Sequence, residues 1–241
     1  MLVRGVLRPD TMIPLKVDTV PTRFPIVTFC IIALCAGAYL LREQVPGLGH
    51  GFIPVDFMHS LLHPGPATLT MAANLSLSFF VHAGPVHLLS NMWYLWLFGS
   101  ALEYRASRGA YVTVYLACGV LSMVIQAAST PFSTVPVVGA SGAIAGVMGA
   151  YLVLLPFSRI VLWLPPIFFF RVPALFFLLL WFVLQYVSMR LASHVGAGVA
   201  WWAHLGGYAC GFVMAIFIRR RQRGQIRARA SSRRAAATRA G

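Results

Sequence analysis

The sequence predicts an all-α membrane protein, a bundle of six transmembrane helices with both termini in the cytoplasm. Of the 241 residues, 59% are hydrophobic and only 10% are charged, whereas soluble domains carry roughly a quarter charged residues. The apolar residues also cluster into six runs, and a helix that spans a bilayer needs about 20 of them. A soluble fold could not bury this much apolar surface, so the composition excludes the soluble classes of protein.

The six apolar runs set the predicted architecture. They extend over about Pro25 to Leu41, Val86 to Leu102, Tyr111 to Ala127, Ser141 to just before Pro156, Val172 to Met189 and Val199 to Ile218. The first follows a polar arm too long for a cleavable signal peptide and is predicted to be a signal anchor. The fourth is only about 15 residues long, so we expect it inside the bundle, surrounded by protein. The predicted units are an N-terminal arm (1–23), a six-helix membrane domain (24–218) and an Arg-rich tail (219–241).

The basic residues predict the orientation. Nineteen Lys and Arg residues oppose five Asp and Glu residues, and positive charge concentrates in the cytoplasmic segments of membrane proteins. A cytoplasmic N-terminus puts seventeen of the nineteen on the inside, and only Arg42 and Arg190 on the outside. We therefore predict that both termini are cytoplasmic.

The Arg-rich tail carries nine of the basic residues and consists mainly of Ala, Ser, Arg and Gln. It has no apolar period, so we predict a disordered segment. Near a membrane surface each basic residue contributes about 1 kcal/mol of attraction to anionic lipids. Basic runs can also bind nucleic acid, but most of the net charge of +14 lies in this tail, so no nucleic-acid partner is expected.

The segment from about Arg42 to Pro85 is long for a loop between two spans. It has few charges and many apolar residues. We expect it to lie in the outer interface of the membrane rather than free in water.

Four polar residues lie at a similar depth in the predicted bundle. His87 and Asn91 are in the first turns of span two, Ser141 starts span four, and His204 lies near the start of span six. Even-numbered spans all run from outside to inside, so similar offsets place the four residues at one level in the outer leaflet. Intramembrane polar groups are costly and are candidates for function. Taken singly, the serine fits a helix cap and the other three fit hydrogen bonds between helices.

Small residues favour close contact between spans four and six. The glycines concerned are Gly142, Gly146, Gly149, Gly207 and Gly211. Such residues let helix backbones approach closely in lipid, which a hydrogen bond between Ser141 and His204 requires. Gly139, just before the serine, can adopt loop conformations that other residues resist. Free N–H groups at the start of a helix also suit an oxyanion at Ser141.

The shortage of acidic residues excludes several hydrolytic mechanisms. A pair of aspartates needs two carboxylates in the membrane, and no span contains Asp. An HExxH zinc site needs Glu directly after His, which no His here has. His82, His87 and His204 could in principle bind a metal, but no carboxylate or thiol lies nearby to complete the site. A serine nucleophile with a histidine base remains, provided another group orients the imidazole. No cofactor or metal is therefore expected.

Three motifs on spans two, four and six resemble those of rhomboid intramembrane serine proteases: HLLSNMWYLWLFGSALE (from His87), GASGAIAGVMGAY (from Gly139) and AHLGGYACG (from Ala203). The resemblance covers about Phe24 to Ile218. It implies a rhomboid-like six-helix bundle around a water-filled cavity, with Ser141 as nucleophile and His204 as general base. It also implies an oxyanion hole of His87, Asn91 and the Ser141 backbone N–H. His82 and Gly139 are candidate supporting residues.

The sequence departs from the rhomboid pattern in two places. The Trp-Arg pair of the first outer loop, which many relatives carry, is absent between Arg42 and His82. The position four residues after the serine, a Tyr in some relatives, is Ala145, so His204 needs another partner, for which Tyr208 and Trp202 are candidates.

The expected function is serine endopeptidase cleavage of transmembrane segments in other membrane proteins. The alternative is a catalytically weak rhomboid-like protein that binds membrane clients and guides their turnover. The expected location is a bacterial inner membrane, as a multi-pass protein.

Overall fold

The computed structural model describes residues 13–18, 23–45, 51–164, 168–192 and 199–240, and most of them are helical. The helices are α1 (Ile26–Leu41), α2 (Pro54–Leu62), α3 (Pro66–Ser78), α4 (Pro85–Tyr94), α5 (Ser100–Ala106), α6 (Arg108–Ser129), α7 (Ser141–Leu154), α8 (Ala174–Ala192) and α9 (Trp201–Ala240). A π-helical turn, Leu95–Gly99, joins α4 to α5. The strands are β1 (Ile13–Val17), β2 (Arg159–Leu164) and β3 (Phe168–Pro173).

Each of the six predicted apolar runs coincides with a helix, the second with the continuous stretch from α4 through α5. Among the described residues, three helices are long and apolar enough to cross a membrane, over Arg108–Ser129, Ala174–Leu191 and Trp201–Ser232. Ile26–Leu41 and Ser141–Leu154 are apolar but shorter. The helical character is confirmed, while the count of six spans and the orientation of the termini stay predictions.

Helix α7 lies at the centre of the bundle, as its short length predicted. Every residue from Gly142 to Leu154 is buried, and α7 packs against both α6 and α9. A helix surrounded by protein in this way has no face that must match the thickness of the lipid.

Glycines set the distance between α7 and α9. A Cβ atom built on Gly207 would overlap the carbonyl oxygen of Gly142, and one on Gly211 would overlap that of Gly146. These two pairs follow each other in the same order along both helices, so α7 and α9 run parallel. Side chains at these positions would force the backbones apart, so the predicted close contact of the two helices is confirmed.

Helix α6 runs antiparallel to α7 and fills the adjacent groove. A Cβ on Gly142 would overlap Ser122, and one on Gly146 would overlap Cys118. The three central helices therefore meet through small residues. This leaves little room for them to shift relative to one another.

The segment between α1 and α4 belongs to the scaffold of the central bundle. Phe52 forms a two-way β-bridge with Val137, with N–O distances of 2.9 and 2.7 Å. Phe79, at the end of α3, is buried against Gly119 of α6. Because Val137 is two residues before Gly139, the bridge anchors the loop that leads into α7. The location of the segment from about Arg42 to Pro85 in the membrane interface stays a prediction.

A three-stranded antiparallel sheet, in the order β1-β2-β3, was not predicted. Part of the expected polar arm forms β1, which pairs with β2 from Ile13↔Trp163 to Val17↔Ile160, with an irregularity between Pro14 and Lys16. The strands are rich in β-branched and aromatic residues, which favour extended chain. Residues 1–12 and 19–22 of the arm lie outside the described residues.

Glu103 of α5 holds the start of α1. Its carboxylate is buried and accepts hydrogen bonds from the N–H groups of Val27 and Thr28 and from the Thr28 hydroxyl, at 3.1, 2.9 and 2.9 Å. A carboxylate here satisfies donors that a helix N-terminus leaves free and complements its dipole. Arg108 lies 3.7 Å away but is largely exposed, so it adds little.

The Arg-rich tail differs from the expectation of a disordered segment, because α9 continues as a helix to Ala240. Ala and Arg are among the best helix formers, so an apolar period is not needed for helical backbone. Gln222 also ties the tail to α5, since it accepts from Arg105 Nη1 at 2.8 Å and donates to the Arg105 carbonyl at 3.1 Å. Gly241 and the side chains of residues 233–240 lie outside the described part.

Candidate active site

Ser141 is the first residue of α7 and follows a strained turn. Gly139 has φ of +118°, in the region that only glycine adopts easily. A Cβ there would also lie 2.7 Å from Cε1 of His87. The turn is held by a hydrogen bond from the Gly139 N–H to the Ser78 carbonyl at 2.9 Å. The glycine therefore lets the His87 ring lie directly against the chain that presents Ser141.

Ser141 and His204 form a hydrogen-bonded pair. The Ser141 Oγ lies 2.8 Å from the His204 Nε2, within the range of a good hydrogen bond. The pair joins α7 to α9 next to the contact of Gly142 with Gly207, since Gly142 directly follows Ser141 and Gly207 lies three residues after His204. The glycine packing and the Ser–His pair are thus parts of one interface.

Gln185 of α8 occupies the other side of the imidazole, and the sequence analysis missed it. Its Oε1 lies 2.8 Å from the His204 Nδ1, and its side chain is buried. The two residues that we expected to orient the ring do not contact its nitrogens, since the Tyr208 hydroxyl donates to the Leu178 carbonyl at 3.2 Å and Trp202 is largely exposed. A signal was present, because a glutamine in an apolar span is itself a costly intramembrane polar group.

Two tryptophans flank the His204 ring. Trp181 of α8 lies with its ring centroid 6.2 Å away in a tilted arrangement, and Trp201 lies 6.0 Å away, edge-on. Trp181 and Gln185 are four residues apart and so share one face of α8. The aromatic neighbours of the histidine thus come from α8 and α9, while Ala145 on α7 is a small buried residue in the cavity wall.

His87 and Asn91 lie opposite the pair, on one face of α4. Asn91 is buried, and its Nδ2 donates to the His87 carbonyl at 2.8 Å. The second N–H of the amide remains available for another acceptor. Both residues line the same cavity as Ser141 and His204, so the structure brings the four polar residues together as their depth predicted.

His82 supports the turn before Ser141. Its Nδ1 donates to the Phe80 carbonyl at 3.2 Å, and its Nε2 accepts from the Ala140 N–H at 3.5 Å. Burial, and after it the neighbouring His87, lowers the pKa of His82 to about 4. The ring is therefore neutral near pH 7, which its accepting nitrogen requires. The supporting role of His82 in catalysis stays a prediction.

The cavity has a volume of about 850 Å³, enough for several side chains of a peptide. Apolar side chains and the segment that leads to Gly139 line it together with the polar site residues. The apolar and aromatic lining residues include Tyr94, Ile144, Ala145, Met148 and Trp181.

Comparison with known proteins decides the family. A family model described as the Rhomboid domain matches residues 70–221, more than half of the chain and all of the site. The chain belongs to the rhomboid family. The match starts within α3, so α1 and α2 lie outside it, although the resemblance seen in the sequence began near Phe24. Together with the apolar helices, the rhomboid domain identifies an integral membrane protein.

The relatives bear two kinds of name. The chain is 33% identical to the mouse presenilin-associated rhomboid-like protein, mitochondrial, over 44% of this chain and 28% of that protein. It is 42% identical to the rhomboid protease GluP of Bacillus subtilis, over 30% and 14%, and 37% identical to the putative rhomboid protease YdcA of the same species, over 33% and 39%. The matches span less than two fifths of each of these relatives.

Within the described residues, no group of three His, Cys, Asp or Glu side chains is placed to hold a metal ion. His82 and His87 are close, with ring centroids 5.2 Å apart. Both ring nitrogens of His204, however, face other partners, Ser141 and Gln185. The geometry of the Ser141–His204 pair suits transfer of the serine proton to Nε2 of the imidazole.

Proposed function

We propose that this rhomboid protein is an intramembrane serine endopeptidase, which hydrolyses peptide bonds in transmembrane segments of other membrane proteins. The observation that carries the proposal is the 2.8 Å contact between Ser141 Oγ and His204 Nε2 on the wall of a large cavity. A structural serine at a helix start needs neither the histidine nor the cavity.

In the first step, His204 Nε2 accepts the proton of the Ser141 hydroxyl as Oγ attacks the carbonyl carbon of the substrate. The negative charge that develops on the carbonyl oxygen is stabilised by N–H groups at the start of α7 and by His87 and Asn91. His204 then returns the proton to the departing amine, and the peptide bond breaks. An acyl group remains on Ser141.

In the second step, water reaches the acyl-enzyme through the cavity. His204 takes a proton from the water, the hydroxide attacks the ester, and Ser141 regains its proton. A helical substrate has its peptide bonds hydrogen-bonded and shielded, so the segment must unwind before it reaches the serine. We propose that the substrates therefore carry a small residue at the cut site and helix-breaking residues near it.

The place of the protein in the cell belongs to the proposal as well. We propose the inner membrane of a bacterium, for which the two Bacillus relatives are the support. The basic end of α9 then lies on the cytoplasmic side, beside anionic lipids.

The test is labelling by a fluorophosphonate probe in detergent, together with cleavage of a transmembrane peptide reconstituted in lipid. Wild type should label and cleave, while Ser141→Ala and His204→Ala should do neither, with thermal unfolding unchanged within a few degrees. Both activities should persist in EDTA. Full cleavage by Ser141→Ala would refute the serine mechanism, and loss of cleavage in EDTA would favour a metal site.

The same assay distinguishes the protease from the alternative function. A rhomboid-like protein that only binds membrane clients would retain the transmembrane peptide but would neither label nor cleave. The name of the mouse relative, which says rhomboid-like rather than protease, keeps this alternative open.

A further inference from the structure

Gln185 contacts the imidazole on the side away from Ser141. The Oε1–Nδ1 distance is 2.8 Å, and only 7% of the residue is exposed. Gln185 also lies on the face of α8 that packs on α9, since Leu178 and Trp181, seven and four residues earlier, contact Tyr208. A buried amide with one polar partner at hydrogen-bond distance is held in place by its surroundings.

The chemistry of the amide determines the state of the ring. A side-chain carbonyl oxygen only accepts hydrogen bonds, so Nδ1 must carry the proton that it receives. In a neutral imidazole the other nitrogen, Nε2, then holds the free lone pair. That nitrogen faces the Ser141 hydroxyl, so it is ready to accept the serine proton.

We propose that Gln185 is a positioning residue, whose carbonyl fixes both the tautomer and the ring plane of His204. The proposal rests on the proposed serine mechanism. Gln185 takes the place of the acidic member of a Ser-His-Asp triad but carries no charge. It acts through His204 and does not touch the substrate.

The described helices around His204 offer no charged side chain that could orient its ring, so a neutral group must do so. His87 of α4 is the titratable residue that faces it across the cavity. The facing parts of α6, α7, α8 and α9, which are residues 109–129, 141–154, 174–189 and 201–218, contain no Asp, Glu, Lys or Arg. An amide dipole can orient the ring without the cost of a buried carboxylate.

Loss of the acceptor should reduce turnover more than substrate binding. Gln185→Leu keeps a side chain of similar size but lets the ring rotate and exchange tautomers. We expect kcat to fall by about 10–100-fold, similar to the loss when the partner that orients a metal-bound histidine is removed, with KM changed by less than about threefold. Gln185→Glu keeps an acceptor and should recover kcat to within about tenfold of wild type. Its carboxylate should also shift the acid limb of the kcat/KM profile to higher pH, because it stabilises the imidazolium.

Tyr208→Phe is the matched control. It removes another hydrogen bond between α8 and α9, the 3.2 Å contact with Leu178, without touching the nitrogens of His204. Its kcat should stay within about threefold of wild type. An equal loss in Tyr208→Phe and Gln185→Leu would show that only helix packing had been disturbed, and would overturn the proposal.

Nitrogen-15 NMR of histidine-labelled protein in micelles reads the tautomer directly. The signal that disappears in His204→Ala should show Nδ1 protonated in wild type and in Gln185→Glu, and a mixture in Gln185→Leu. An unchanged tautomer in Gln185→Leu, or protonation at Nε2 in wild type, would overturn the proposal. If Gln185→Leu fails to fold, Gln185→Glu decides, because loss of both the tautomer and the activity there would refute it.

The proposed function and the role of Gln185 are tested by different measurements. Cleavage by Ser141→Ala would refute the serine mechanism, while the NMR result would still report whether Gln185 fixes His204.

Discussion

The close contact of α7 and α9 makes Gly207 the most informative single position for the link between packing and catalysis. Gly207 lies one turn after His204, and its partner Gly142 directly follows Ser141. A Cβ at residue 207 would overlap the Gly142 carbonyl oxygen and lie 3.0 Å from its carbon and 3.4 Å from its Cα. The obstacle is backbone on a buried helix, so it cannot rotate away as a side chain would.

The size of the effect follows from these distances. Ordinary carbon contacts are about 3.5–4.0 Å, so Gly207→Ala must move α9 from α7 by about 1 Å. The Ser141–His204 contact, now 2.8 Å, would then exceed the roughly 3.5 Å beyond which a hydrogen bond is lost. Misplacement by about 1 Å can cost 10²-fold in rate, so kcat should fall by about 100-fold. Overpacking should destabilise the protein by about 1–3 kcal/mol.

The assay is cleavage of the transmembrane peptide, with thermal unfolding in the same detergent. Gly224→Ala is the control, because Gly224 lies on the same helix and no atom lies within 4 Å of its added Cβ. That variant should keep full activity and gain up to about 1 kcal/mol of helix stability. If Gly207→Ala matches Gly224→Ala in both measurements, the Gly142–Gly207 contact does not set the Ser141–His204 distance.

Three further outcomes are expected. Asn91→Ala should lower kcat by about 10²–10³-fold without unfolding the protein, the usual effect of losing one oxyanion donor; unchanged kcat would remove Asn91 from the oxyanion hole. Glu103→Ala should lower the free energy of unfolding by about 2–4 kcal/mol, because it strands the donors of Val27 and Thr28; a melting temperature equal to wild type would contradict this. The pKa of His82 is lowered to about 4 from 6.5, so the unfolded chain binds the proton more tightly, and stability should fall by up to about 3 kcal/mol as pH drops from 6.5 to 4. His82→Gln should remove that slope, and an identical slope in both proteins would refute the assignment.

The helices and much of the site could be predicted because both depend on patterns along the sequence, namely the length of apolar runs and the spacing of polar residues and glycines. A long apolar run predicts a buried or lipid-facing helix from its length alone. Because successive spans alternate in direction, the offsets of polar residues within the even-numbered spans indicate their depth, which is how His87, Asn91, Ser141 and His204 are predicted to lie together. The glycines predicted the contact of α7 with α9 in the same way. A helix repeats every 3.6 residues, so small residues at spacings of three and four lie on one face.

Other features could not be predicted because they depend on how elements meet. Gln185 points at His204 only for one rotation of α8 about its axis, and the apolar residues of this helix surround its axis without a period that reveals that rotation. The sheet requires a strand before α1 to pair with one after α7, a contact between segments more than 140 positions apart. The helical tail was misjudged for a different reason, since the absence of an apolar face argues against packing but not against helical backbone.

Glu103 and Gln185 show why an acid-poor chain can still orient a catalytic histidine. Within the described residues, Glu103 is the one buried carboxylate, and it has three hydrogen-bond donors at the start of α1 to stabilise its charge. The site of Gln185 offers a single donor, the Nδ1–H of His204. A carboxylate with one donor in a buried place loses more solvation than a neutral amide does, so Gln185→Glu should keep the accepting oxygen at a cost in stability. A neutral amide whose oxygen faces the ring avoids that cost and keeps the accepting role, so glutamine fits this position better than an acid does.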